Sequence, residues 1–456
     1  MTCAARRSRL AQVAGRFRFC LLILWAVASG CATYTDRLHT ANLAAGAGDY
    51  ATAVSSLNQA LGVSGDADLP SKWGNEGALA TLERGSLLQA MEKFPASATN
   101  FSAAEQELEM LDLSVDPVGA VGSYVYSDSV KSYKAPPSER LALNAINLLN
   151  YIGQGDLENA AVEARRFQVM RDFLDTQKIS EYGVGALGSY LAGFVFDRRG
   201  EGDRALRYYE EALAAGSLQS LAQPAARLAQ TNPYRGPRLQ GLLAQTAPPP
   251  RNAGAPSEML VVLSLGRVAY KVPERILVGA AIGIAGASVS GNVDWLTRGV
   301  AKVVVYPELV DSPSRLGRPL VRLDGNDVPV EGLVDLNAIV HREYQDIKPK
   351  IIAAALTRLA SRAAVAEGVR AAGNQESDAL GAVLAVAVEG AMAALDEPDT
   401  RSWTMMPGQV LVARVPVAPG AHTVEVEFDG APGVRRVATV NVASGGFGAV
   451  VVTEPR

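Results

Sequence analysis

The chain has 456 residues, 43 basic and 47 acidic side chains, a formal charge of −4 and 48% hydrophobic residues. The acidic balance argues against nucleic acid binding and against an electrostatic grip on anionic lipid, since both need an excess of Lys and Arg. The hydrophobic fraction is that of a globular protein, and the length predicts about two domains.

Residues 1–30 read as a lipoprotein signal peptide. Arg6, Arg7, Arg9, Arg16 and Arg18 form a positive start with no acid before Asp36, and Phe19 to Ala28 is an apolar stretch too short to span a bilayer comfortably. Arg6-Arg7 fits the twin-arginine export pattern poorly. Ala28-Ser29-Gly30 then precede Cys31, the small-residue arrangement that a lipoprotein signal peptidase reads. The mature chain is expected to start at Cys31, with a diacylglyceryl group on its thiol. Ala32, rather than Asp, at the second mature position favours the outer membrane, with the protein on its periplasmic face. Residues 1–30 hold five arginines and no acid, so their removal takes the charge from −4 to −9. Cys3 and Cys20 leave with that segment, so no disulfide, Cys-ligated metal or thiol nucleophile is expected. His39, His341 and His422 are far apart and lack ligand spacing, so no metal or cofactor is expected.

Residues 31–217 read as a TPR-like helical domain. Gly48 is followed by Ala53, Leu57, Ala60 and Leu61, and Gly200 by Ala205, Tyr209, Ala212 and Leu213, at the same four offsets. Small residues let paired helices approach, and the bulky residue between them fills the gap. Gly155 opens a looser copy with Ala160, Ala164 and Phe167, and Glu92 takes the glycine place in another with Ser97, Phe101 and Ala104. First helices are expected over Asn75 to Met91, Pro136 to Tyr151 and Val184 to Phe196, with a long loop from Leu113 to Ala135. Stacked pairs form a concave groove suited to peptides or partner helices. Arg140, Asn144, Asn147 and Asn150 on one helix, with Arg165 and Arg166 on the next, form a polar stripe. It is either a solvated face or a groove holding an extended peptide or a carboxylate.

Residues 218–256, broken by Pro224, Pro233, Pro237 and Pro248-Pro249-Pro250, read as a Pro-rich linker with room for one short helix, and as a domain boundary. Residues 257–456 read as a β-rich domain. Strands are expected at Glu258 to Leu265, Val300 to Leu309, Leu320 to Val330, Val410 to Val415, Ala421 to Phe428, Val434 to Val442 and Phe447 to Thr453. Their number suggests a small β-sandwich. An Ala-rich insertion at about 348–395 reads as two helices around Gly373-Asn374 that either cap the sandwich or dock on the solenoid. Ile276 to Val293 is uncharged, with Gly279, Gly283 and Gly286. It is expected as a flexible loop or hairpin, with a membrane or self-association contact as the other reading. In Asp399-Thr400-Arg401-Ser402-Trp403, Asp399 and Arg401 are either a turn lock with Trp403 as packing anchor or a ligand-binding pair.

Several of these segments resemble a family of uncharacterised proteobacterial lipoproteins with an N-terminal TPR-like half and a C-terminal β-rich domain. The likeness rests on Tyr133 to Arg140, Gly155 to Glu158, Glu163 to Arg166, Pro398 to Trp403 with Met406-Pro407, and Ala413 to Pro416 with Pro419-Gly420. It implies a lipid-anchored envelope protein without established activity, and points to partners linked to cell-wall synthesis. The Gly-rich segment at 276–293 departs from the family's pattern.

The expected fold is therefore α + β and multidomain: a TPR-like α-solenoid, then a small β-sandwich with a helical-pair insertion. No Gly-x-Ser-x-Gly or Walker motif occurs. The expected function is a non-catalytic envelope scaffold, held by Cys31, that binds protein partners through its groove. The alternative is an envelope glycan-processing or hydrolytic enzyme with its site in the C-terminal domain.

Overall fold

The computed structural model describes residue 34 and residues 38–110, 132–180, 183–250, 256–286, 303–314, 316–373, 398–429 and 433–456. Residues 1–30 and Cys31, most of the expected loop Leu113 to Ala135, and the second helix of the expected insertion lie outside the described residues. The fold is mixed α and β.

Helices pack in consecutive pairs: α1 (His39–Ala47) with α2 (Tyr50–Leu61), and α3 (Gly77–Ala90) with α4 (Phe94–Glu107). After the short parallel strands β1 (Glu109–Met110) and β2 (Lys134–Ala135), α5 (Pro137–Gly153) pairs with α6 (Leu157–Thr176). Then α7 (Gly185–Arg198) pairs with α8 (Gly202–Ala212). Each second helix opens just after a left-handed residue. Gly48, Gly155 and Gly200 have φ of 81, 71 and 79°, and Glu92 has 58° in the same place. Asp49 and Asp156 follow two of these turns, and their carboxylates accept from the Thr52 and Asn159 N–H groups at 3.0 Å, capping α2 and α6. The small residues Ala53, Ser97, Ala160 and Ala205 are buried at the pair contacts, as are Leu57, Phe101 and Tyr209, whereas Ala60 is exposed. Glycines set the closest approach. A Cβ on Gly188 or Gly193 of α7 would meet Phe167 at 2.2 Å or Tyr209 at 2.5 Å.

The expected linker is largely helical. Gln219–Leu221 is a 3-10 turn, followed by α9 (Ala222–Leu228) and α10 (Pro237–Ala244). Leu221, Leu228 and Leu239 join the helical core. Prolines do not break this region, because Pro237 sits at the first position of α10, where its missing N–H is not needed. Buried Glu210 of α8 accepts from the next two N–H groups, of Arg238 at 3.2 Å and Leu239 at 2.8 Å.

The C-terminal half holds β3 (Glu258–Leu265), β4 (Tyr270–Leu277), the two-turn α11 (Val278–Ala285), β5 (Val303–Val310), β6 (Pro319–Leu323), β7 (Asn326–Val328) and β8 (Glu331–Asp335). Then come α12 (Leu336–Gly373), β9 (Gln409–Pro416), β10 (Gly420–Phe428), β11 (Arg435–Val442) and β12 (Phe447–Glu454). One sheet runs β12-β3-β9-β8, with β12 parallel to β3, and a second runs β11-β10-β6-β7. The first sheet is a middle layer. Met259, Val261, Leu263 and Leu265 of β3 face the second sheet, while Leu260 and Val262 face the helices. Coverage on both faces explains why β3 reads as an unbroken apolar run. Asp324 and Gly325, at φ of 51 and 81°, make the tight β6–β7 turn that the sequence signals.

β4 and β5 form a separate hairpin that shares an apolar cluster with α11 and α12. The expected loop at Ile276 to Val293 is thus strand and then helix as far as Ala285, because Val278, Ala281 and Ala285 recur at helical spacing and are buried in that cluster. Residues 287–293 lie outside the described residues. Among the described residues, no helix is long and apolar enough to cross a membrane. The first insertion helix is α12, which starts earlier than expected, capped where Asp335 Oδ1 accepts from the Ala338 N–H at 2.8 Å.

A non-glycine residue in the left-handed region is strained by about 1–2 kcal/mol. Glu92→Gly should therefore stabilise the protein by roughly 0.5–1 kcal/mol, after allowing for the extra flexibility of unfolded glycine. A urea titration would show it as a higher midpoint at unchanged slope.

Candidate functional site

The inner helices α3, α5 and α7 are buried almost throughout, although they carry many polar side chains. Some of these find partners within the helical half, and others, among them Glu83, Ser86, Gln89 and Glu139, find partners in the C-terminal half, which packs against these helices. The segment Pro398 to Met406 enters there. Asp399 locks it by accepting from the Arg401 N–H at 3.1 Å, from Nε at 2.7 Å and from a terminal nitrogen at 2.7 Å. Trp403 is fully buried, edge-on to Phe101 at 5.7 Å between ring centres, and its indole N–H donates to Ser86 Oγ at 2.9 Å.

Three buried carboxylates receive this segment and its neighbours. Glu83 of α3 accepts from the Thr404 and Met405 N–H groups at 2.7 Å each and from the Thr404 hydroxyl at 2.9 Å. Glu139 of α5 accepts from the Trp403 N–H at 3.2 Å and from the Tyr133 hydroxyl. Glu343 of α12 accepts from both the N–H and the hydroxyl of Ser138. Burial pushes the Glu83 carboxyl up to about 8 and that of Glu343 up to about 7, and it raises Glu139 as well. A small cavity of about 50 Å³, lined by Tyr133, Lys271, Asp399 and Arg401, lies beside them, and none of the three carboxylates lines it.

A second cluster joins five elements around Arg414 of β9, whose side chain is 1% exposed. It donates to Glu258 of β3 at 2.6 and 2.9 Å, to Asp197 of α7 at 2.8 Å and to the Tyr209 hydroxyl of α8 at 2.7 Å. Arg198 also pairs with Glu258, and Arg227 of α9 with Asp197. Burial alone would raise Asp197 and Glu258, but Arg414, with Arg227 or Arg198, holds both below the usual carboxylate range. Outside this cluster opens a cleft of about 420 Å³.

The polar stripe read from the sequence divides. Asn144, Asn147 and Asn150 are fully buried, so they do not line an open groove. Asn150 Oδ1 accepts from Gln89 at 2.9 Å, its amide donates to Asn147 Oδ1 at 3.0 Å, and Asn144 donates to Glu105 at 2.9 Å and Glu163 at 2.7 Å. Gln89 in turn accepts from Thr453 of β12 at 2.9 Å, so the C-terminal half occupies the place a ligand would take. Arg140 lies 3.7 Å from Glu105, Arg166 reaches Glu105 and Glu163, and Arg165 is exposed. On the outer face of α6, beside Arg165 and Arg166, Val162, Val169 and Phe173 are exposed by 42, 69 and 44%. Among the described residues, no group of His, Cys, Asp and Glu could hold a metal ion. His341 pairs with Asp311 and His422 with Asp324 at the surface.

The sequence reading missed Glu83, Glu343, Asp197, Glu258 and Arg414. A signal was present for two of them. Glu83 interrupts an apolar helix at Leu82-Glu83, and Arg414 interrupts the strand Val412-Ala413-Arg414-Val415. No family model, no curated protein and no solved structure matches the chain.

Arg414→Met should cost about 3–5 kcal/mol in urea, because Glu258 and Asp197 then lose their shared buried counter-charge. The raised carboxyls give a pH prediction of defined sign. A folded-state pKa above the unfolded value means that the folded protein binds protons more tightly. The contribution is then full below about pH 4.5 and is lost as pH rises through about 8 for Glu83. Melting temperature should fall over that window, and Glu83→Gln should flatten the fall.

Proposed function

We propose that this is a lipid-anchored, non-catalytic scaffold of the cell envelope, tethered through Cys31 at the periplasmic face of the outer membrane. Its helix pairs read as a degenerate TPR-like array, because the four second helices share one left-handed opening and one set of buried small positions. Its two stacked sheets read as a small β-sandwich. The partner surface in this reading is the outer face of α6 rather than the concave groove. One observation carries it: Val162, Val169 and Phe173 stand exposed on one helical stripe, with Arg165 and Arg166 beside them. Such a stripe suits an amphipathic helix with acidic flanks on an envelope protein. Partners linked to cell-wall synthesis remain the expected class.

The hydrolase alternative, with its site in the C-terminal domain, would draw on the raised carboxyl of Glu343, with Glu139 and Glu83 of the helical half nearby. Their oxygens are engaged by backbone N–H and hydroxyl donors, which favours a structural role for them.

Two measurements test the proposal. Metabolic labelling with an alkyne fatty acid should mark the wild type, and Cys31→Ser should abolish the label and release the protein from the membrane fraction. A photo-crosslinking residue at Val169 or Phe173 should give a discrete protein adduct in cells. The same residue at exposed Val437 should not. Adducts of equal yield at all three positions would refute the α6 surface.

A further inference from the structure

The cleft outside the Arg414 cluster has the composition of a ligand site. Its walls are apolar, formed by Pro224, Pro249, Pro256, Val415 and Pro416, and its floor is ionic. The bonded cluster beneath it holds three guanidinium groups, Arg198, Arg227 and Arg414, against two carboxylates, Asp197 and Glu258. One positive charge is therefore left over within the cluster. Glu331, which accepts from the Gln219 and Ser220 N–H groups at 2.6 Å each, keeps its own negative charge beside them, so the surroundings as a whole are balanced and the orientation of the donors distinguishes the cleft.

The unbonded donors have a defined outlet. Arg414 is saturated, with bonds to Glu258, Asp197 and Tyr209. Arg227 gives one terminal nitrogen to Asp197, keeps 15% of its side chain exposed and lines the cleft. Its other terminal nitrogen and its Nε find no hydrogen-bond partner among the described residues. Ser220 lines the same cleft. Its Oγ accepts from the Tyr190 hydroxyl at 3.0 Å, which leaves its own hydrogen to donate. A forked guanidinium beside a hydroxyl donor is the donor set for a carboxylate.

We infer that this cleft binds a small amphipathic carboxylate, an aliphatic acid whose head group meets Arg227 and Ser220 and whose chain lies along the proline wall. The prolines select against a peptide's C-terminus as the source of that carboxylate, because they lack the N–H groups that pair with an extended backbone. A volume of about 420 Å³ lies within the usual range for small-ligand pockets.

The test is calorimetric titration of the protein from Cys31 onward with decanoate, decanol and decylamine, below their micelle concentrations. Decanoate should bind at one site, about tenfold or more tighter than decanol, with decylamine weaker still. Arg227→Gln should weaken decanoate about tenfold, and Ser220→Ala should weaken it several-fold without touching the ion cluster. Melting curves in the absence of ligand show whether each variant is folded. If Arg227→Gln does not fold, the Ser220→Ala result decides. Decanoate binding no tighter than decanol, or unaltered by both substitutions, would overturn the inference. So would no binding, or displacement of decanoate by a short apolar peptide with a free C-terminus.

Discussion

Helix α3 is buried on nearly every side, yet it carries Glu83, Arg84, Ser86 and Gln89, and each needs a partner. Arg84 finds Asn100, Asn58 and the Asp68 carbonyl within the helical half. Glu83 finds its partners in the C-terminal half, at Thr404 and Met405, and Ser86 and Gln89 each add one there, at Trp403 and Thr453, to their bonds within the helical half. An unsatisfied buried polar group costs about 1–3 kcal/mol, and more when charged. Neither half can therefore be exposed to the other's absence without leaving such groups stranded. The seam, more than either core, sets the arrangement of everything attached to it, including the α6 face and the proline-walled cleft.

The repetitive part of this architecture was open to sequence reasoning. Glycine at Gly48, Gly155 and Gly200 followed by spaced small residues has one economical explanation, a turn into a packed helix, and even Glu92 could be recognised as a stand-in. Strands such as β3 and β10 were equally legible, since an apolar run or a clean alternation reflects which faces are covered. The two short helices after Leu218 were not, because proline at a helix start and proline in a linker look alike without the partner Glu210. Strands β4 and β8 escaped because their neighbours β5 and β9, which lie far along the chain, determine them.

The site was less legible than the fold, for a related reason. Asn144, Asn147 and Asn150 have the spacing of a binding face, and periodicity cannot say whether that face meets solvent, ligand or the chain's own distant segment. Here Gln89 and Thr453 decide it. The burial of Glu139 and Glu343 likewise depends on Trp403 and Ser138, respectively, reaching them from distant parts of the chain. Long-range partners of this kind are invisible to any local pattern.

The hydrogen bond from Tyr50 of α2 to buried Glu454, at the end of β12, spans 404 positions of the chain. Contacts of that span close late, since the entropy of the intervening loop opposes them until most other structure exists. A ribosome delivers the helical half first. Its inner helices must then wait, with their carboxylates wet and their groove open, until β12 has been made and can lie beside β3. The chain should accordingly be slow to reach its final state and dependent on protection during the interval. On the proposed envelope location, where the chain would cross a membrane before folding, such a delay is an asset.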